Sequence, residues 1–284
     1  MARPVASRRG HERDTESTRP LTARSVIAST LLGVDPPWLP TLALVRSGEL
    51  FGLSAGATRT ALSRMVAAGE AVPDGDGHRL AGALLARHGR QRVARASTPA
   101  RAWDGTWVLA VVTERGRRAD ERARFRIAAE RLRLVEWREG VWARPANLDL
   151  RADDGDAHAR VSAHASWLTG ARPDDIDDLV ACFALDRWAE IARHHVDAMH
   201  RWQPRLDRGD TAALADTFLL DAAVQRHLVS DPRLPEALLE PDWPAPVLRA
   251  TFERFDDAFS ATWRTWYRTF RQGSDPRPRD RPAD

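Results

Sequence analysis

One stretch constrains this chain more than any other. From Leu39 to Leu80 it reads LPTLALVRSGELFGLSAGATRTALSRMVAAGEAVPDGDGHRL. Two short amphipathic segments stand in front of an Asp-Gly-Asp-Gly sequence flanked by extended runs. Asp-Gly between two such runs is a hairpin signal. Ser54 is placed to cap the second segment, since its hydroxyl can accept from a free backbone N–H of the first turn. Helical spacing puts Thr58, Leu62, Met65 and Val66 on one face of that segment. Gly56, Arg59, Thr60, Ser63 and Ala67 fall opposite, with Arg64 at the edge. Gly69 stands where a left-handed cap ends a helix.

Helix, turn, helix and hairpin, in that order, are the parts of a winged helix-turn-helix, which lays its second helix in the major groove of DNA. The face opposite the apolar one suits a groove. Small residues admit close approach, hydroxyls reach phosphates or bases, and arginine pairs bidentately with guanine. Expected contacts are Arg59 and Ser63 to bases, Thr60 and Arg64 to bases or phosphates, and Arg79 to the backbone on the wing side. Asp74 and Asp76 at the wing tip are poor neighbours for phosphate, which leaves His78 or Arg79 as the wing contact. The alternative is a small helical core on which Arg59 and Arg64 are merely solvated.

Charge is unevenly spread. The chain has 284 residues and a net charge of +3, and its basic residues are all arginine, with no lysine. Together with the many Ala, Gly, Asp and Pro residues, that bias reads as GC-rich codon usage, so arginine content alone says little about nucleic acid. Distribution says more: residues 1–101 hold 15 Arg against 8 acids, and residues 102–284 hold 28 Arg against 32. A basic head on a mildly acidic body fits a DNA-binding module joined to a sensing or dimerising part.

Cys182, the single cysteine, excludes an internal disulfide and a Cys-rich zinc site. Within LVACFALD it reads as a small buried hydrophobe. The N-terminus carries arginines without an apolar run, so no signal peptide is expected. Runs such as WVLAVV are too short to span a bilayer. A cytoplasmic protein is expected.

Local patterns extend the reading. Residues 1–21 read as a disordered basic tail. Thr22 to Leu32 is a helix stopped at Gly33, Asp35-Pro-Pro-Trp a turn, Leu39 to Leu50 a helix, and Ala81 to Ala96 a basic helix that either lies along DNA or links to the next domain. Ser97 to Ala102 is a linker. Trp107 to Thr113 is a strand, Arg117 to Arg133 a helix, Leu134 to Arg138 and Val141 to Ala143 two strands, and Val161 to Trp167 a later strand. That β-α-β-β order suggests a ferredoxin-like domain. From Asp174 onward the pattern is helical: Leu185 to Trp202, Thr211 to Ser230 and Ala245 to Phe270. The last carries Phe252, Phe255, Phe259, Trp263, Trp266 and Phe270 at i, i+3, i+4 spacing, a core or dimer seam.

The fold class expected is therefore α+β and multidomain, with a winged-helix domain with linker helix at 22–98, a ferredoxin-like middle domain at 99–172 and a helical C-terminal domain at 173–271. Residues 272–284 read as a second disordered tail.

Other constellations point less sharply. In Arg193-His194-His195-Val-Asp197-Ala-Met-His200, His194 and Asp197 are spaced to share a metal on a helix. His195 and His200 lie off that face, so a polar helix surface is the plainer reading and no metal is expected. Glu114, at the end of the Val111-Val112-Thr113 strand, is where a metal nuclease would place an acid, but one isolated acid makes a weak case. No nucleophile elbow, phosphate-binding loop or dinucleotide fingerprint occurs, so the chain reads as a non-enzyme without catalytic residues.

Taken in order, several motifs resemble the PaaX family, repressors of phenylacetic acid degradation operons. They are Thr22-Ala23-Arg24-Ser25, Phe51-Gly52-Leu53-Ser54, Thr58 to Arg64, Trp103-Asp104-Gly105-Thr106-Trp107, Gly140 to Pro145, and Asp231 to Pro235 leading into Leu239 to Pro244. The resemblance spans roughly residues 22–270. It implies a homodimer on a partly palindromic double-stranded DNA operator, released by an acyl-CoA thioester such as phenylacetyl-CoA, with no cofactor beyond that effector and no membrane. Trp137, Trp142, Trp167, Trp188, Trp202 and Trp243 are all candidates for a flat effector slot, and core packing explains each more simply, so the effector site is left open. A regulator sensing another small molecule, or a winged-helix protein-interaction module, are the alternatives.

Overall fold

The structure is a computed structural model and describes residues 22–95, 101–114 and 116–272. The expected tail at 1–21, residues 273–284 of the expected tail at 272–284, and residues 97–100 of the expected linker at 97–102 lie outside the described residues. The chain forms two compact units, divided between Ala86 and Arg87.

The first unit opens with helix α1 (Ala23–Leu32), capped by Thr22 in a reciprocal pair with Ser25. Strand β1 (Trp38–Pro40), helices α2 (Thr41–Glu49) and α3 (Ala55–Ala67), and strands β2 (Ala71–Asp74) and β3 (Gly77–Leu80) come next. The strands form one antiparallel sheet in the order β1-β3-β2. Ile27, Leu31, Leu44, Leu62, Met65, Ala71 and Leu80 make a shared core beneath it. Sequence patterning places Leu39 in a helix; the structure puts it in β1, opposite His78. Pro40 decides this. A residue before proline is driven toward extended backbone, and proline itself lacks the N–H that a strand or helix interior would use.

Helix α4 (Gly82–Arg95) passes from the first unit into the second. Beyond it lies a β-α-β-β-α-α-β run: β4 (Trp107–Val112), α5 (Ala119–Arg131), β5 (Val135–Arg138), β6 (Val141–Pro145), α6 (Leu150–Asp153), α7 (Gly155–Ser162) and β7 (Ala165–Ala171). The sheet order is β5-β6-β4-β7, every neighbour antiparallel. One face packs on α5 and α7 through Phe125, Ala128, Ala129, Leu132, Trp142, Ala157 and Val161. Val161, expected to start a strand, lies instead in α7. Asp154 caps that helix by accepting from Ala157 N–H, and Ala157 and Val161, four apart, form its buried stripe. The strand begins only at Ala165.

The remainder is helical: α8 (Ile176–Ala181), α9 (Leu185–Asp207), α10 (Leu214–Val229) and α11 (Ala245–Gln272). Trp188, Ala192, Met199, Leu206, Val224, Leu228, Leu248, Phe252 and Phe255 form the core of α9, α10 and α11, while Leu179 of α8 packs with Trp107 and Ala143 of the sheet. Helix α9 runs beyond Trp202 through Pro204. The backbone bond that Pro204 forfeits would end on the carbonyl of exposed His200, which water can satisfy. Cys182 corrects the sequence reading: it is exposed. It sits just past the end of α8, which buries Leu179, and Ala184 at φ +50 turns the chain into α9. The apolar run is therefore split between two elements, and Cys182 falls at the exposed junction. Among the described residues no helix is long and apolar enough to cross a membrane.

Sheet and helices are joined through Arg144, which is fully buried. Its guanidinium donates to the carbonyls of Leu132, Pro145 and Arg233 and to Oδ1 of Asn147, at 3.0–3.4 Å. Asn147 also donates to the Arg233 carbonyl at 2.9 Å.

Candidate nucleic-acid interface

Helix α3 is built as a presented face. Ser54 caps it, accepting from Ala57 N–H at 3.1 Å. Thr58, Leu62 and Met65 are buried and Val66 half-buried, so the apolar stripe read from the sequence is the one that packs. Gly56, Arg59, Thr60, Ser63, Arg64 and Ala67 are all exposed. Ser63 donates to the Arg59 carbonyl at 3.1 Å, an intrahelical bond that leaves its oxygen free to accept. Gly69, at φ +68, ends the segment in the left-handed region.

Helix α3 is set against α2 by a contact that sequence reading missed. A Cβ on Gly48 would come within 2.3 Å of the Thr58 hydroxyl oxygen. Thr58 is fully buried and donates to the Ser54 carbonyl at 3.1 Å. The two helices thus approach through a glycine and a stiff β-branched residue, which fixes the direction α3 faces. The only signal in the chain is a glycine inside a helical pattern.

The hairpin turns at Gly75-Asp76, with Asp74 opposite Gly77. Arg79 is exposed and lies 3.6 Å from the Asp74 carboxylate. His78 turns inward, its Nδ1 3.2 Å from the Thr41 hydroxyl, and burial lowers its pKa. Of the two wing candidates, Arg79 is therefore the one available at the surface. Glu70, just before the hairpin, is paired with Arg24 of α1, with Arg24 Nε 2.8 Å from Oε2, which neutralises an acid beside the wing.

Basic helix α4 is anchored to the second unit. His88, Gln91 and Ala94 are buried on one face. Arg95 pairs with Asp256 at 2.8 Å and lies over the Phe252 ring at 4.9 Å. Arg249 donates to the Ala94 carbonyl at 3.3 Å. Asp221 stands in the same buried region, donated to by Gln225, and burial raises its carboxyl pKa.

The remaining candidates separate. Glu114 accepts from His164 Nδ1 at 2.7 Å at the exposed end of the sheet. His194, Asp197 and His200 are exposed, while His195 turns inward against His227. Among the described residues no three His, Cys, Asp or Glu side chains gather as metal ligands. Trp142 and Trp188 are core; Trp137, Trp167, Trp202 and Trp243 pack at core edges. On α11, Phe252, Phe255, Trp263 and Trp266 are buried, and Phe259 packs on the helical core.

Comparison with known proteins places this architecture. The family model for the PaaX-like protein C-terminal domain matches residues 184–270, from the start of α9 to near the end of α11. The chain belongs to the PaaX-like family. A solved structure, that of "Uncharacterized protein Rv0674 from Mycobacterium tuberculosis", is similar over 86% of this chain and 98% of its own, at 38% identity and a TM-score of 0.64. No curated protein sequence matches the chain.

Proposed function

We propose that the chain is a PaaX-type transcriptional regulator: a homodimeric repressor whose first unit is a winged helix-turn-helix and whose second combines a ferredoxin-like sheet with a helical domain. The observation that carries this is α3. Its apolar side is buried, and its other side is an uninterrupted exposed surface of small, hydroxyl and arginine side chains. Arg59 and Arg64 make no ion pair or side-chain hydrogen bond with another described residue. Two unneutralised guanidiniums on such a face are what phosphate and guanine edges require.

In this reading Arg59 and Ser63 meet bases, Thr60 and Arg64 bases or phosphates, and Arg79 the wing-side backbone. Two copies place their α3 helices in successive major grooves of a partly palindromic operator. The effector is an acyl-CoA thioester, phenylacetyl-CoA or a relative, which favours a state of the dimer with lower operator affinity. The reading involves no catalysis.

The test is a gel shift of the purified chain on the promoter of its own gene neighbourhood, with random DNA as competitor, with and without phenylacetyl-CoA. Specific binding released by the thioester is expected. Specific binding that ignores the thioester would keep the regulator and discard that effector. Binding no tighter than to random DNA would sink the regulator and leave the protein-interaction module.

A further inference from the structure

The second unit contains a cleft of about 260 Å³, where α4, α5, the α6–α7 junction and the end of α10 meet. Five arginines line it, Arg90, Arg131, Arg133, Arg226 and Arg233, against three acids, Glu130, Asp153 and Asp154. Internal pairing accounts for part of this charge. Arg131 grips Asp154 through two bonds of 2.6 and 2.8 Å. Arg233 reaches Asp153 at 3.3 Å. Arg133 donates to a neutral acceptor, the Asp231 carbonyl, at 2.8 Å.

Arg90 and Arg226 have no ion pair with a described residue. Burial lowers the pKa of both; Arg87, one turn before Arg90 on α4, stands close to each. The charges nearest Arg90 otherwise are Arg131 and Asp154, whose own pairing leaves Arg90 with little net opposite charge. Near Arg133 and Arg233 lies the guanidinium of Arg144, whose hydrogen bonds among the described residues all go to neutral oxygens. Partly desolvated like charges destabilise one another unless an opposite charge stands between them. Arginine forks are the groups that hold phosphate oxygens bidentately.

The same cleft has an apolar wall. Ile127 is 58% exposed and Val93 40% exposed, two of the large hydrophobic side chains left open to solvent, and both line it. A ligand that fits both features carries an anionic group and an apolar body.

We propose that this cleft binds a small phosphorylated molecule, its phosphate between Arg90 and Arg226 and its apolar part on Ile127 and Val93. Arg90 and Val93 belong to α4, Ile127 to α5 and Arg226 to α10. An occupant bridges α4 to the rest of the unit and holds it there. This deepens the regulator reading by giving the anionic, apolar-bodied molecule it senses a place in the fold; it rests on that reading only for the consequence at DNA, because occupancy is measured without DNA.

The probe is inorganic pyrophosphate with the full chain, followed by calorimetry and thermal shift. Saturable binding is expected, weakened at least tenfold in the Arg90→Ser/Arg226→Ser variant. It should stay within twofold in Arg160→Ser/Arg264→Ser, which removes the same charge from exposed positions. Equal binding by both variants would mean only general attraction to a basic surface and would overturn the proposal. Should the first variant misfold, the wild-type chain decides through phenylglyoxal labelling read by mass spectrometry. Pyrophosphate should protect Arg90 and Arg226 and not Arg160; no protection refutes the site. Protection of the two by random duplex DNA but not by pyrophosphate would assign the cations to a DNA backbone and equally overturn it. The operator gel shift contains no pyrophosphate, so its failure and the failure of this site are separate results.

Discussion

Replacing Gly77 with alanine should disrupt the small sheet that carries the wing. A Cβ at Gly77 would stand 2.4 Å from the Leu39 carbonyl oxygen and 2.7 and 2.8 Å from two ring carbons of Trp38. Carbon contacts are comfortable only near 3.5–4.0 Å. Neither neighbour can easily give way. Leu39 is backbone paired opposite His78, and the Trp38 indole N–H donates to the Asp74 carbonyl at 3.0 Å. The unit must absorb the compression or lift β1 from β3. Overpacking of this kind costs about 1–3 kcal/mol, and loss of the indole bond adds about 1 kcal/mol. We therefore expect a loss of about 2–4 kcal/mol, a large part of a domain's typical stability. Gly75, two residues away, is the control. It sits at φ +61 with nothing within 4 Å of a Cβ, so alanine there meets only the left-handed backbone penalty, about 1–2 kcal/mol. Urea titration with amide exchange read in peptides covering residues 36–42 and 76–81 reports on this sheet alone. If Gly77→Ala proves no more damaging than Gly75→Ala, the packing argument is wrong.

Three further outcomes are expected. Gly48→Ala should lower stability by about 1–3 kcal/mol through its 2.3 Å approach to the Thr58 hydroxyl, and adding Thr58→Ala should recover part of that loss; strict additivity in the double-mutant cycle would refute the contact. His195 has its pKa lowered to about 4, chiefly by burial and then by His227, His194 and Arg226, against 6.5 when unfolded. Between those values the unfolded chain binds more protons, so stability falls as pH drops from 6.5 toward 4. The partly solvated ring limits the loss to about 2 kcal/mol. Urea midpoints measured at pH 7, 5.5 and 4.5 should show this slope flattened in His195→Gln, and an unchanged slope would exonerate His195. Arg59→Ala should weaken specific operator binding by about 1–3 kcal/mol with little change on random DNA, if Arg59 reads a base. Equal loss on both DNAs would make it a phosphate contact instead.

Much of the first unit was legible because its signals are local. Ser54 as cap, Gly69 as terminator, the Thr58-Leu62-Met65 stripe and the Asp-Gly turn each act within a few residues, and each stands where local chemistry puts it. The exposed side of α3, and with it Arg59, Thr60, Ser63 and Arg64, came from helical spacing once the apolar side was known. Where the reading failed, two local preferences competed. Val161 suits a strand by side chain, but the Asp154 cap and the partner Ala157 make it helical. Cys182 lies in an apolar run that a left-handed residue divides.

Spacing, caps and turn chemistry in the chain therefore settle most of the helices and strands, Leu39 and Val161 aside, and which side of α3 is apolar, because those depend on neighbours along the backbone. Partners distant in sequence are another matter. The two glycines of one Asp-Gly-Asp-Gly turn look alike, yet Gly75 is needed for its backbone angle and Gly77 because Trp38 and Leu39 lie against it. The arginines at 90, 131, 133, 226 and 233 are five among 43 until three helices and two loops bring them around one cleft. A charge becomes a site only when folding removes it from water and places others beside it, and that depends on tertiary contacts that no local pattern encodes.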